Sequence, residues 1–222
     1  LTVVQSAVSV VLFASLSWAF ARSDHAAARH HIQEATRFAL VLLAPACVLL
    51  TVHAQGIVDL LYAKAYAPAA GILRYQVFGF AALTFLDIFF QVMMAYGRFA
   101  SCAAILFGLV PLGVLLNVML IPLWGGEGAA IALLLTVAAG AVIAALIAAR
   151  QFGALIMPTA LLRIGIATLV LIPLALQISV PLIWLIPKLV LLLAAYLLVL
   201  VLLRELTVKD LEPFAVWKRE AS

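Results

Sequence analysis

The stretch GRFASCAAILFGLVPLGVLLNVMLIPLWGGEGAAIA, residues Gly97–Ala132, decides the fold of this chain. Its first part, Ser101 to Trp124, contains 24 residues without a formal charge. A helix of about 20 apolar residues crosses the hydrocarbon core of a bilayer. The sequence Gly125-Gly126-Glu127-Gly128 then predicts a tight turn, and a second uncharged run continues to Ala149. The stretch therefore predicts two membrane-crossing helices joined as a hairpin.

The composition of the whole chain points to the same environment. Of the 222 residues, 68% are apolar and 10% are charged, and the mean hydropathy is +1.29. Soluble domains are about half apolar and about a quarter charged. The apolar runs are long and continuous, without the alternation that membrane β-strands require. We therefore predict an all-α fold, a polytopic transmembrane helical bundle.

About seven membrane spans can be placed on the apolar runs. They are Thr2–Phe20, Phe38–Gly56, Tyr75–Tyr96, Ser101–Trp124, Gly128–Ala149, Thr159–Gln177 and Leu182–Leu203. We divide the chain into a five-helix part (1–150), two further transmembrane helices (151–203) and a cytoplasmic amphipathic tail (204–222). Because the chain begins at Leu1 without an initiator Met, we expect it to be the C-terminal portion of a longer protein.

The basic residues are unequally divided between the two sides of the membrane that these spans define. Lys and Arg favour the cytoplasmic side in short loops. Seven spans put ten of the 13 basic residues on one side and three on the other, namely Lys64, Arg74 and Lys188. We therefore predict an outside N-terminal end and a cytoplasmic C-terminus. Lys188 lies about a turn inside the last span, where a long side chain can snorkel to the interface.

A charged, Ala-rich segment joins the first two spans. Residues Ala21–Arg37 predict a short amphipathic helix on the cytoplasmic face. Arg29 and Arg37 are candidates for contact with lipid headgroups, as is common for basic residues next to a membrane.

The third span carries the polar residues that suggest function. Asp87 is the one carboxylate well inside a predicted span, and Thr84 and Gln91 share its helical face. Gln76 falls near that face, two turns before Thr84. An ionised carboxylate facing lipid costs several kcal/mol, so this face should turn toward protein or water. These four residues are candidates for a substrate pathway or an ion-coupling site, although a protonated Asp87 that only packs against another helix would fit equally well.

Other chemistries find little support in the sequence. His25, His30 and His31 lack an acidic partner at a suitable spacing, and Cys47 and Cys102 belong to no metal or disulfide pattern. We expect no metal and no cofactor. No arrangement of residues suggests catalysis, so we predict that the chain is not an enzyme. The net charge of +4 is scattered over segment ends and predicts no nucleic-acid partner.

Three stretches resemble one family of transporters. The run VLLNVMLIPLWGGEGAAIA, Val114–Ala132, resembles the N-x-x-L-IP-x-x-G-x-x-GAA hairpin of polysaccharide and lipid-linked oligosaccharide flippases. These proteins belong to the multidrug/oligosaccharidyl-lipid/polysaccharide exporter superfamily. LLYAKAYAPAAGILR (Leu60–Arg74) and AYGRFASCA (Ala95–Ala103) are similar to the family as well. The order and spacing of the three stretches, more than any one of them, identify the chain as a member.

The resemblance implies a fold, a substrate and partners. It implies that the chain forms most of the second lobe of a MATE-like transporter plus two extra C-terminal helices. In such a transporter, two lobes surround a central cavity that opens to each side of the membrane in turn. It also implies flipping of a polyprenyl-linked glycan across the bacterial inner membrane, with the bilayer and a missing N-terminal lobe as partners. The family's pyrophosphate contacts match no residue here, so none is assigned.

Three alternatives stay open at this point. A drug or cation antiporter of the same superfamily would use Asp87 as its coupling site. A membrane enzyme acting on lipid-linked sugars would need larger outer loops than this sequence has. A remnant of a truncated gene would share the flippase's origin without its activity.

Overall fold

The computed structural model describes residues 2–22, 24–62, 64–152, 158–177 and 185–202. Its helices are α1 (Thr2–Ala21), α2 (His25–Val52), α3 (Ala54–Leu61), α4 (Ala69–Ala95), α5 (Phe99–Phe152), α6 (Pro158–Gln177) and α7 (Leu185–Leu202). A short 3₁₀ helix, Lys64–Tyr66, lies between α3 and α4. The described residues contain no strand, and the predicted all-α fold is confirmed. The predicted tail helix lies outside the described residues.

The helix lengths suit a membrane. By length and composition, α2, α4, α5 and α7 can each cross one, and α5 is long enough to cross twice. The apolar stretches Leu12–Ala21 and Ala160–Leu176, in α1 and α6, are shorter. Contacts divide the chain into two units, residues 1–157 and 158–222.

Helix α2 differs from the prediction for its region. The predicted interfacial helix and the second span form one continuous helix, capped by the Asp24 carboxylate, which accepts from the Ala27 N–H at 2.9 Å. Nothing between Arg29 and Phe38 breaks a helix, because charged residues raise the polarity of a segment without opposing helical backbone angles. The helix runs through Pro45 and ends at Val52, and α3 then carries the chain to Leu61.

Gly125 divides α5 into two arms, residues 99–124 and 126–152. Its φ of 55° and ψ of −128° lie in a region that glycine enters easily and other residues do not. The predicted reversal is therefore confirmed, but it takes one residue rather than four. Residues 126–128 already belong to the second arm.

The two arms of α5 run antiparallel. Gly113 in the first arm lies against the side chain of Thr136 in the second. At the open end, Gln151 accepts two hydrogen bonds from Arg98, at 2.7 Å from Nη1 and 3.2 Å from Nε, when its amide oxygen faces the guanidinium. In both pairs the two residues lie at distances along the chain from Gly125 that differ by one residue, which is the pairing expected of a hairpin.

A glycine also sets the bend before this hairpin. Helix α4 ends where Gly97 takes a φ of 83°. The Gly97 N–H donates to Met94 O at 2.9 Å, and the Arg98 N–H donates to Met93 O at 2.8 Å. This Schellman-type ending satisfies the last carbonyls of α4 and lets α5 start two residues later.

The first unit has one main core. Helix α4 packs against α1, α2 and α5. The most buried members come from all four helices and include Leu16, Ala28, Val92 and Ala144, each fully buried. Small side chains such as Ala28 and Ala144 allow the helix backbones to approach closely, as in other membrane bundles.

The second unit pairs α6 with α7. Its one described lysine, Lys188, is 8% exposed, and its Nζ donates to Ala175 O at 3.1 Å. Lys188 thus directs its ammonium toward the end of α6, and its snorkelling to the membrane interface stays a prediction. Ala175 lies in the last turn of α6, where carbonyls lack helical donors and favour a cation.

Candidate functional site

Four polar side chains share one face of α4. At 100° per residue, Gln76, Thr84, Asp87 and Gln91 fall within about 80° of the helix circumference. Each of the four is half-buried. They extend over about 22 Å of the helix at 1.5 Å per residue. The predicted candidates are thus carried on one stripe, which we call the α4 polar face.

The opposite side of α4 is the most deeply buried part of the helix. Its apolar side chains are at most 5% exposed and pack in the core of the first unit: Leu86, Ile88, Phe89, Val92 and Met93. Because this side is turned to α1, α2 and α5, the α4 polar face lies on the side of the helix away from the core. A stripe of amides, a hydroxyl and a carboxylate in that position suits contact with a water-filled cavity better than contact with lipid.

The side chains of the α4 polar face offer oxygen and amide groups. The Thr84 hydroxyl donates to Phe80 O at 3.0 Å, which leaves its oxygen able to accept from a ligand. Asp87 lies about 27 Å from the first residue of α4 and about 12 Å from the last, at 1.5 Å per residue. Its carboxylate therefore lies well inside a helix that is long and apolar enough to cross a membrane, and in such a span a bound proton or hard cation would offset the cost of its charge.

No dedicated metal centre is found elsewhere in the described part of the chain. Among those residues, no group of three His, Cys, Asp or Glu side chains is placed to hold a metal ion. Cys47 and Cys102 are both reduced and buried.

The two headgroup candidates lie on the first half of α2 and differ in their surroundings. Arg29 is exposed in the second turn of the helix. Arg37 is half-buried, and its Nη2 lies 3.4 Å from Glu34 Oε1. An ion pair of this kind at a partly exposed site contributes little to stability. The pair therefore holds Arg37 only loosely, while Arg29 presents its charge at the surface.

One basic residue, Arg22, makes a contact that was not predicted from the sequence. The guanidinium carbon of Arg22 lies 3.8 Å from the ring centroid of Trp18. The spacing Trp-x-x-x-Arg at the end of an apolar run is a signal that could have found it, because residues i and i+4 are neighbours on a helix.

Comparison with known proteins agrees with the helical membrane fold described above. The sequence matches the family described as Lipid II flippase MurJ over residues 1–204. This chain belongs to the MurJ family. Membership confirms the resemblance to the wider flippase superfamily, and it makes the chain a multi-pass membrane protein of a transporter family.

Two further comparisons show how much of a longer protein the chain matches. A solved structure, titled Lipid II flippase MurJ in an inward closed conformation, superposes with a TM-score of 0.76 at 14% identity. The match covers 89% of this chain and 43% of that one. An uncharacterized membrane protein of Methanocaldococcus jannaschii is 27% identical over 124 residues, which is 56% of this chain and 24% of the relative. The chain thus spans less than half the length of either protein.

Proposed function

We propose that this chain acts as the second lobe of a flippase that moves a polyprenyl-linked peptidoglycan precursor, of the lipid II type, across the bacterial inner membrane. The observation that carries the proposal is the family match over residues 1–204. The superposition on a MurJ structure supports the same architecture. Transport, rather than covalent chemistry on the sugar, is the activity expected.

The α4 polar face supplies the surface that such a transporter needs. A glycan headgroup crossing about 30 Å of hydrocarbon must exchange its hydrogen bonds with water for others. Gln76, Thr84 and Gln91 offer donors and acceptors on one stripe. We propose that this stripe lines the path and that rocking of two lobes opens it to each side in turn.

Asp87 has a different role from the amides. The diphosphate of a polyprenyl-linked precursor is an anion, so a carboxylate repels it rather than binding it. We therefore propose that Asp87 binds the coupling ion, a proton or a hard cation. The bound ion neutralises the carboxylate and so lowers the free energy needed to close the transport path around it. The cationic groups that hold the diphosphate would then belong to the partner lobe.

Partners and orientation follow from the same proposal. Because the chain covers 43% of a solved MurJ, we propose a first lobe as its partner. The basic residues Arg22, Arg29, Arg98 and Arg150 favour a cytoplasmic location for the α1–α2 junction and the open end of the α5 hairpin. The N-terminal end of the chain is then outside and the C-terminus cytoplasmic. At that face Arg29 and Arg37 are proposed to meet lipid headgroups.

The experiment is a transport assay in proteoliposomes with fluorescent lipid II. The chain would be reconstituted alone, with the first lobe of a MurJ-family protein, and that lobe would also be tested alone. The proposal expects translocation only when both lobes are present. Transport by the chain alone would contradict the two-lobe account. Export of a cationic dye without lipid II movement would favour the drug antiporter instead.

A further inference from the structure

We propose that Trp18 and Arg22 form a binding site for the phosphate of an anionic phospholipid at the membrane surface. Lipid binding by this pair would not depend on transport activity.

The Trp18–Arg22 pair has a geometry that suits binding of an anion. Arg22 Cζ lies 3.8 Å from the Trp18 ring centroid, which is close contact for a cation over an aromatic face. Stacking uses the face of the guanidinium and leaves N–H donors at its edge, in the planar arrangement that binds phosphate oxygens. The indole also restricts the Arg22 side chain, so less conformational entropy is lost when a phosphate binds.

The position of the pair fits the membrane interface. Trp18 is 55% exposed, whereas Leu12, Leu16 and Ala19, on the other side of α1, are at most 5% exposed. The indole therefore faces away from the core of the first unit. Arg22 follows directly after α1 ends at Ala21. Four residues correspond to about 6 Å of helix, and the headgroup layer is about 5–7 Å thick on each side. A tryptophan at the hydrocarbon boundary thus places Arg22 at phosphate level.

Nearby acidic residues leave the site available. Asp24, two residues on, uses its carboxylate to cap α2 by accepting from the Ala27 N–H at 2.9 Å. In the ranges that the structure covers, Arg22 makes no ion pair, and Glu34 lies 3.4 Å from Arg37 instead. Arg22 is also at the C-terminal end of α1, where the helix dipole favours a cation and helps to keep it in place. A phosphate on this guanidinium would therefore meet an unneutralised charge.

Two lipids could supply such a phosphate, a bulk phospholipid or the polyprenyl carrier. We assign the site to a bulk phospholipid because Trp18 faces outward from the packed helices, as a lipid-facing side chain does. One basic residue near an anionic membrane surface gives about fivefold enrichment of the anionic lipid.

Fluorescence quenching tests this assignment in the full chain. Trp124, Trp184 and Trp217 are replaced by Phe, which leaves Trp18 as the single fluorophore. The protein is reconstituted in phosphatidylcholine vesicles with 20% phosphatidylglycerol, and either lipid carries brominated acyl chains. We expect the ratio of phosphatidylglycerol to phosphatidylcholine next to Trp18 to be about fivefold the bulk ratio, so that brominated phosphatidylglycerol contacts Trp18 roughly half of the time rather than about one fifth of it. Circular dichroism confirms that each variant is helical.

The variants separate a built site from general surface charge. Arg22→Gln should abolish the preference, and Arg22→Lys should keep only part of it because the charge stays but the planar donor set is lost. Arg150→Gln, a matched loss of charge at an exposed arginine, should leave the preference unchanged. Proportional quenching in the parent protein, or a preference that persists in Arg22→Gln, would overturn the proposal. Displacement by a trace of unbrominated polyprenyl diphosphate, but not by equal phosphatidylglycerol, would overturn the assignment to a phospholipid.

Discussion

Arg98 and Gln151 meet at the open end of the α5 hairpin, and the guanidinium donates at 2.7 and 3.2 Å to the amide oxygen when that oxygen faces it. In the sequence, 52 residues separate Arg98 from Gln151. The two meet only because Gly125 reverses the chain. The pair thus reports directly on the antiparallel packing of the two arms.

We predict a measurable coupling between these two side chains. Arg98→Ala and Gln151→Ala should each destabilise the chain, and together by less than the sum of the two. Because Arg98 is exposed, the coupling free energy should be about 0.2–1 kcal/mol. The measurement is a double-mutant cycle of unfolding by SDS in mixed micelles. Arg98→Ala combined with Arg150→Ala is the control. Strict additivity for Arg98 and Gln151 would contradict the contact.

Gly125 should not tolerate a side chain, although space is available for one. Apart from the adjacent residues and the helix's own backbone, no atom lies within 4 Å of a Cβ added there, so the cost comes from the backbone angles. Gly125→Ala should destabilise the chain by about 1–3 kcal/mol. Gly108→Ala, also in open space but without a positive φ, should be neutral or stabilising by up to about 1 kcal/mol. Equal stabilities of the two variants in the same unfolding assay would argue against the one-residue reversal.

Gly126 and Gly128 should differ in how well they tolerate replacement by Ala, because of the atoms that surround each of them. A Cβ at Gly128 would collide with the carbonyl oxygen of Leu120, which is backbone of the other arm and cannot move away. A Cβ at Gly126 would lie 2.7 Å from Ile72 Cδ1, the end of a flexible side chain. Gly128→Ala should cost about 2–3 kcal/mol and Gly126→Ala less than about 1 kcal/mol. The reverse order in thermal or SDS unfolding would contradict the close approach of the arms.

Much of this hairpin was predictable because its signals are local. Uncharged runs of helix length and a Gly-rich interruption specify two crossings and a reversal without knowledge of any partner. The amphipathic segment before Phe38 was predicted as a separate helix because its polarity changes there, yet backbone preference stays helical from His25 to Val52. Polarity indicates depth in the membrane, and it does not mark the end of a helix.

Features that need a tertiary partner were not predictable. Lys188 donates to Ala175 O of the neighbouring helix, and no spacing in the sequence indicates that meeting. The α4 polar face was predictable as a stripe from the helical period of Thr84, Asp87 and Gln91. Its position opposite the buried side of α4 was not, because that depends on how α1, α2 and α5 pack.

Neutralising Asp87 should impair transport. The test uses the chain assembled with a first lobe in proteoliposomes and fluorescent lipid II. Loss of one charge-assisted interaction, about 1.5–3 kcal/mol, corresponds to a decrease in rate of about tenfold or more. Asp59→Asn is the matched control, since this exposed carboxylate only accepts from Gln55 Nε2 at 3.0 Å. Normal transport by Asp87→Asn at normal protein levels would remove Asp87 from the mechanism.

The central claim is that the α4 polar face borders water inside the membrane, and cysteine labelling tests it most directly. Single cysteines at Thr84 and Gln91, and at the buried controls Phe89 and Val92, are introduced after Cys47 and Cys102 are replaced by Ala. The proteins are then treated with a charged, membrane-impermeant thiol reagent in proteoliposomes. Because labelling requires a water-accessible thiolate, the first two positions should react about tenfold faster than the controls. Equal, slow labelling at all four positions would contradict the account.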